Sequence, residues 1–214
     1  MISRELKKRI ITSVILVAIV LNCLFINNYS WLFLLTIISL ICWFEFINLS
    51  KRIWKKKIII IIPITISFFL LFVFLYTAYE IRTDFGEETV LFVLLVCVFS
   101  DIGGYVVGKS IGGKKLTRIS PNKTVSGSIG SFLFSLFPAG IFSIFFSNVT
   151  EKDIFLCLVL SLACQFGDLI VSYFKRLAKV KDAGDILPGH GGMLDRIDGI
   201  IFAVPTLLVF NNLI

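Results

Sequence analysis

The chain has a single histidine, and its five cysteines show neither CxxC nor any other metal-ligand spacing. Both shortages argue against a zinc centre. Charged residues are also scarce, at 16% of 214. That is too few for a disordered chain or an ordinary water-soluble domain. No internal repeat and no low-complexity segment stand out beyond the hydrophobic runs themselves. What is present is apolar: 57% hydrophobic residues, 22 of them phenylalanine, and a mean hydropathy of +0.95. A soluble domain of this size leaves much of its surface in water and cannot hide that much hydrocarbon. A bilayer is the remaining solvent, and the net charge of +7 has to be read against it.

A spanning helix needs about 20 largely apolar residues, because ~30 Å of hydrocarbon is crossed at ~1.5 Å per residue. The sequence predicts an all-α polytopic membrane protein with about seven spans: Ile10–Asn27, Trp31–Ser50, Ile58–Tyr79, Thr89–Gly108, Ser128–Ser147, Ile154–Tyr173 and Gly199–Ile214. The last begins nearer Asp195 on an alternative reading. The first has a basic start, but Asn22, Cys23 and Phe25 offer no small-residue cleavage site, so it reads as an uncleaved anchor. All five cysteines (Cys23, Cys42, Cys97, Cys157 and Cys164) fall within the predicted spans, where they read as reduced, buried small hydrophobes. Loop charge alternates. With the N-terminus inside, 19 of the 21 cations are cytoplasmic and only Arg82 and Lys152 lie outside, which predicts N-in and C-out. The first two basic clusters read as orientation signals and lipid-headgroup contacts. Two regions are expected: spans 1–3 over residues 1–88, and a catalytic region with spans 4–7 over residues 89–214.

Acids within the spans are the anomaly. Asp101, Asp168, Asp198 and Glu45 each sit in a predicted span or at its start. A charge at a helix centre costs roughly 2.5–3.5 kcal/mol on insertion scales. Such residues should face a protein-lined cavity holding water or metal; an ion pair between helices is the alternative, above all for Glu45. Helical spacing puts Gln165, Asp168, Ser172 and Lys175 on one face, and Asp101, Gly104, Tyr105 and Gly108 on another. The stretch Lys175–Asp198, KRLAKVKDAGDILPGHGGMLDRID, is dense in charge and glycine and carries the lone His190.

Carboxylates facing a cavity among lysines and arginines suit Mg²⁺, which takes few protein oxygens and shares substrate phosphates. Phosphoryl or nucleotidyl transfer is the matching reaction class, since it needs mainly positioning and charge stabilisation. Gly103–Ser110, GGYVVGKS, formally matches GxxxxGK[ST]. A P-loop follows a strand and opens a helix, whereas this string closes a hydrophobic span, so it is not read as one.

The run Ser172-x-x-Lys175-Arg176-x(4)-Lys181-Asp182-x-Gly184-x-x-Leu187-Pro188-x-His190-Gly191-Gly192-x-x-Asp195-Arg196-x-Asp198 resembles the signature of phosphatidate cytidylyltransferases, the CDP-diacylglycerol synthases, over 27 positions. Ser100-Asp101 with Gly104-Tyr105 and Gly108-Lys109, the segment Ser120–Gly130 (SPNKTVSGSIG), and Gln165-x-Gly167-Asp168-Leu169 resemble further motifs of that family. The resemblance covers roughly Ser100 to Pro205. The chain departs from the family pattern at Val171 and Ser126, where glutamate is usual.

The resemblance implies an integral membrane enzyme that condenses CTP with phosphatidic acid to CDP-diacylglycerol and pyrophosphate. It implies Mg²⁺ on Asp168 and Asp195, with K⁺ as a second cation. Lys175, Arg176, Lys181 and Arg196 are then candidates for the triphosphate, and Lys109 and Lys123 for either substrate's phosphate. Asp182 and Asp198 would orient those cations or a metal-bound water. Asp101, Thr124, Ser172, His190, Gly191 and Gly192 complete the expected substrate contacts. The expected partners are CTP, phosphatidic acid and membrane lipid, with no nucleic acid; a homodimer stays open. The expected location is a bacterial cytoplasmic membrane, with the active site facing the cytoplasm. The rival readings are a cation-coupled transporter and a CTP-dependent lipid kinase.

Overall fold

The computed structural model describes residues 4–117, 120, 123–145 and 150–213. Arg118, Pro121 and Asn122, and the predicted span ends Ser147 and Ile214, lie outside the described residues. The elements they form are helices, in the order α1 (Arg4–Ile26), α2 (Asn28–Ile53), α3 (Lys57–Ile111), α4 (Val125–Ser135), α5 (Phe137–Phe145), α6 (Glu151–Leu177), α7 (Leu194–Ile197) and α8 (Ile200–Leu213). Among the described residues there is no strand, only the isolated bridges Lys115–Thr124 and Leu187–Gly191. The all-α expectation holds.

By length and composition, five helices are apolar enough to cross a membrane, and Ile200–Phe210 is a shorter apolar helix. Their surfaces are hydrocarbon. Val14, Val17 and Ile26 of α1 are 62%, 57% and 65% exposed, and Ile58 of α3 is 81% exposed. Water would penalise such faces, while lipid chains do not. The chain is an integral membrane protein.

Two predicted elements differ in detail, each for a local reason. The predicted loop Glu80–Glu88 is helical except at Gly86 (φ 86°, ψ 170°), so two helical stretches meet at a one-residue break inside α3 where a longer loop was expected. Glycine reaches that left-handed φ without a Cβ penalty. Predicted span 5 has a one-residue interruption at Leu136, between α4 and α5, while Val125–Ile144 as a whole is one of the five candidate spans. Pro138 follows two residues later, and proline cannot sit inside a continuing helix without displacing a carbonyl one turn back. The last predicted span, from Gly199, matches α8; the alternative start nearer Asp195 does not hold, because Asp198 and Gly199 separate α7 from α8.

The chain forms two compact units. The first comprises residues 1–87 and 174–197. Here α1 and α2 are joined through Asn27 alone, which makes a capping box: its side chain accepts from the Ser30 N–H (2.7 Å), and its own N–H donates to Ser30 Oγ (3.3 Å). Trp31 Nε1 donates to the Ala78 carbonyl (3.0 Å). Arg82, expected among the outside cations, is buried and donates Nε to the Leu24 carbonyl (2.8 Å), one of the orphan acceptors at the C-terminal end of α1. In the 174–197 segment α6 ends on Lys179, at φ 57°, with the Val180 N–H reaching the Lys175 carbonyl (3.0 Å). That is a Schellman stop, here with lysine at the left-handed position.

The second unit comprises residues 88–173 and 198–214. Its packing is backbone on backbone where α3 meets α4. A Cβ built on Gly104 would lie 2.6 Å from Ser131 Oγ, one on Gly127 2.8 Å from the Gly104 carbonyl, and one on Gly130 2.5 Å from Val107 Cβ. Small residues allow such approach, and membrane helices associate mainly through this kind of contact. Gly130→Ala should therefore destabilise the protein by about 1–3 kcal/mol, the usual range for overpacking. Gly140→Ala in α5, where an added Cβ meets nothing within 4 Å, should be neutral or gain up to about 1 kcal/mol of helix propensity. Thermal unfolding of the two variants in one detergent gives the comparison, and equal midpoints would contradict the close packing.

Candidate functional site

The second unit contains a cavity of about 320 Å³. Asp101, Gly104 and Tyr105 line it from α3, Gly127, Ser128 and Ser131 from α4, Gln165 and Asp168 from α6, and Leu116, Ser120, Lys123 and Thr124 from the connecting loop. Both stripes read from helical spacing thus contribute to one space. The same cavity takes in the SPNKTVSGSIG segment through Ser120, Lys123, Thr124, Gly127 and Ser128.

The polar groups are organised around Asp168. Its Oδ2 pairs with Lys123 Nζ, and its Oδ1 accepts from Ser172 Oγ one helical turn on (3.2 Å). Ser128 Oγ donates to Gln165 Oε1 (2.5 Å), and Gln165 Nε2 donates to Ser161 Oγ (3.3 Å). Ser161 and Ser100 share a further hydrogen bond of 2.8 Å. Asp101 has the Cys164 thiol at 3.8 Å. Thr124 serves locally: its hydroxyl accepts from the Gly127 N–H (3.0 Å) and caps α4. Lys109 is held against Tyr105, with Nζ 3.2 Å from the phenol oxygen and 5.4 Å from the ring centroid. At the two departures, Ser126 donates to the Gly112 carbonyl, and Val171 is buried.

The first unit carries the other predicted residues on residues 174–197. Asp195 is held by three donors: Lys175 Nζ (2.7 Å) on Oδ1, and the N–H groups of Ala183 (2.8 Å) and Gly192 (2.9 Å) on Oδ2. The two ionic side chains are only 10% and 4% exposed. Gly189 and Gly191 take φ of 77° and 83°, so the chain doubles back between Leu187 and Gly191. Glycine is needed at both turns. His190 Nε2 lies 3.1 Å from Ser13 Oγ of α1, while its buried Nδ1 has no hydrogen-bond partner among the described residues. Arg196 donates Nε and Nη2 to the His190 carbonyl (3.2 and 2.7 Å), and Arg176 Nη1 donates to the Val180 carbonyl (3.1 Å). Lys181 and Asp182 are exposed.

Asp101, Lys123, Thr124 and Asp168 are therefore gathered around one cavity in the second unit, with Ser172 on Asp168. Asp198 belongs to that unit and bonds its own neighbour, accepting from the Gly199 N–H (3.0 Å). Lys175, Arg176, Lys181, Asp182, His190, Gly191, Gly192, Asp195 and Arg196 belong to the first. Glu45 makes no ion pair among the described residues; it accepts from the backbone N–H groups of Met193 and Leu194. The Ser13 contact was also missed, although a Thr-Ser pair in an apolar run was its visible signal.

Among the described residues no group of three or more His, Cys, Asp or Glu side chains converges as a ready-made metal cage. The cavity donors are instead two carboxylates with amide and hydroxyl oxygens. This set fits Mg²⁺, which commonly takes one or two carboxylates and completes its shell with water and phosphate.

The sequence profile of a cytidylyltransferase family matches residues 60–214. The chain belongs to this family. Among related cytidylyltransferases, the phosphatidate cytidylyltransferase of Staphylococcus saprophyticus is 43% identical over 132 residues, covering 60% of this chain and 50% of its own. That of Bacillus subtilis is 43% identical over 134 residues, covering 60% and 49%. The Helicobacter pylori enzyme of the same name is 38% identical over 128 residues, covering 59% and 48%. The chain thus spans about half the length of the curated relatives it matches.

Proposed function

We propose that this cytidylyltransferase-family chain condenses CTP with phosphatidic acid, forming CDP-diacylglycerol and pyrophosphate. The observation that carries the reading is the Asp168 cavity, in which a carboxylate, a lysine and several hydroxyl oxygens meet in an integral membrane protein of this family. A phosphatidate phosphate oxygen attacks the α-phosphorus of CTP. A new P–O bond forms as the α–β bridging P–O bond breaks, and the bridging oxygen leaves with pyrophosphate. Both substrates are already anionic, so no strong general base is required.

Asp168, with Asp195 as the second carboxylate implied by the resemblance, would hold Mg²⁺; K⁺ is proposed as a second cation. The metal would neutralise charge on the transferring phosphoryl group. Asp195 has about four acceptor positions, and three are occupied by protein donors. Lys123 places a positive charge at the cavity wall for a substrate phosphate. Lys181, exposed on the glycine-rich loop, is free to reach the triphosphate, whereas Lys175 reaches it only by leaving Asp195. Arg196 and Arg176 orient their guanidinium groups through backbone carbonyls. His190 offers its unpartnered Nδ1.

The membrane arrangement belongs to the same proposal. The 54 residues Ile58–Ile111 extend ~81 Å as helix, far beyond one ~30 Å hydrocarbon layer, and Gly86 breaks them into two crossings. With α8 the count is seven, and the 19-to-2 division of cations sets N-in and C-out, with the site on the cytoplasmic side of a bacterial inner membrane. Purified protein given phosphatidate and CTP labelled in the cytosine ring is expected to move label into the lipid, dependent on Mg²⁺. Label entering lipid only from the γ-phosphate would identify a lipid kinase instead, and no lipid label at all would remove both enzymatic readings.

A further inference from the structure

Residues 1–59 lie outside the family match, yet they contain a buried acid that touches the signature loop. Glu45, on α2, is 2% exposed. Its Oε1 accepts from the Met193 N–H (3.0 Å) and its Oε2 from the Leu194 N–H (2.8 Å). The loop lies flush on the carboxylate at two further points: a Cβ on Gly184 would lie 2.6 Å from Oε1, and one on Gly192 would lie 2.7 Å from both oxygens. Among the described residues, backbone N–H groups are the hydrogen-bond partners of this acid. A carboxyl out of water is costly unless its oxygens are bonded, so the loop and the acid fix one another.

The geometry has a direct consequence for the loop. Met193 and Leu194 lead directly into Asp195 and Arg196. The N–H of Gly192, whose Cα sits on Glu45, is itself a donor to Asp195. Two carboxylates, Glu45 and Asp195, thus bind successive N–H groups of the same short run, 192, 193 and 194. We infer that Glu45 is a positioning residue for the proposed reaction, setting the register of residues 184–196 and so the placement of Arg196, the cation of that stretch proposed for the triphosphate. The kinetic part of this inference rests on the function proposed above; the structural part does not.

Glu45→Gln keeps size and one acceptor but turns an N–H₂ group toward a backbone N–H, so one of the two bonds is lost. Two measurements on the full chain in detergent test the idea. In hydrogen exchange, the amides of 192–194 should exchange at least tenfold faster in E45Q than in the parent, with the amides of α1 unchanged. In steady-state kinetics, the KM for CTP should rise about tenfold while the KM for phosphatidate stays put. A merely structural lesion lowers the active fraction and moves neither KM. Gly184→Ala presses on the same carboxylate from the loop side without removing any polar group. It should show the same pattern more weakly, and it decides the matter if E45Q does not fold. Unchanged exchange at 192–194 in the variants overturns the positioning role whatever the reaction is. Faster exchange with an unmoved KM for CTP overturns its kinetic part alone. A parent protein that moves no label from CTP to lipid overturns the proposed function and leaves the exchange result to stand by itself.

Discussion

Asp168→Asn should lower cytidylyl transfer by about 10³-fold, the scale expected when a metal or a preorganised charge is lost from a phosphoryl-transfer site. It should do so without unfolding the protein. The Asp168 side chain is 29% exposed and its Lys123 partner 27%, and partly hydrated pairs of this kind contribute at most about 1 kcal/mol to stability. The Ser172 hydroxyl can still donate to the remaining oxygen. Yield, detergent gel filtration and melting midpoint should therefore match the parent while label transfer collapses. Activity within tenfold of the parent would falsify the metal assignment to Asp168, because an amide lacks the charge that holds Mg²⁺.

Lys175→Met is expected to act in the opposite order, on stability first. Lys175 and Asp195 form a buried pair, 10% and 4% exposed. Removing one member of such a pair leaves the other charged and unmatched, at a cost of about 3–5 kcal/mol. Against a typical total of 5–15 kcal/mol that is a large share, and the melting midpoint should fall by roughly 10 °C. Replacing both, as Lys175→Met with Asp195→Asn, removes the stranded charge and should recover most of the midpoint. Activity should stay lost in the double variant, because the carboxylate proposed to hold the metal is gone. The decisive comparison is between midpoints: if the single and double variants melt together, the pair is not the buried, mutually neutralising one described here.

The spans and the cavity were largely legible for the same reason. Helical periodicity and the cost of charge in lipid act locally. Asp101, Gly104 and Tyr105 recur at helical spacing, as do Gln165, Asp168 and Ser172, and the structure turns both stripes into cavity wall. What stayed hidden depends on partners far away in sequence. Glu45 is isolated among apolar neighbours, and its partners are backbone N–H groups, which carry no residue-type signal. The burial of Arg82 on the Leu24 carbonyl is the same kind of case. The break at Gly86 was obscured differently: the acidic residues around it suggested a whole loop, whereas one residue of positive φ is sufficient.

The contact between Glu45 and Met193 spans 148 positions, and it has a consequence for biosynthesis. Ribosomes add ~5–20 residues per second, so about 7–30 s separate the synthesis of the acid from that of its hydrogen-bond donors. During that interval α2 is already apolar enough to enter the bilayer, but it carries a carboxyl without its two backbone N–H groups. The nascent helix must keep that group protonated, hydrated or at the membrane surface until the donors emerge. Burial of Glu45 on its donors is thus a late event in synthesis, and Glu45→Leu should shorten the protease-sensitive phase of insertion even as it loosens the finished loop.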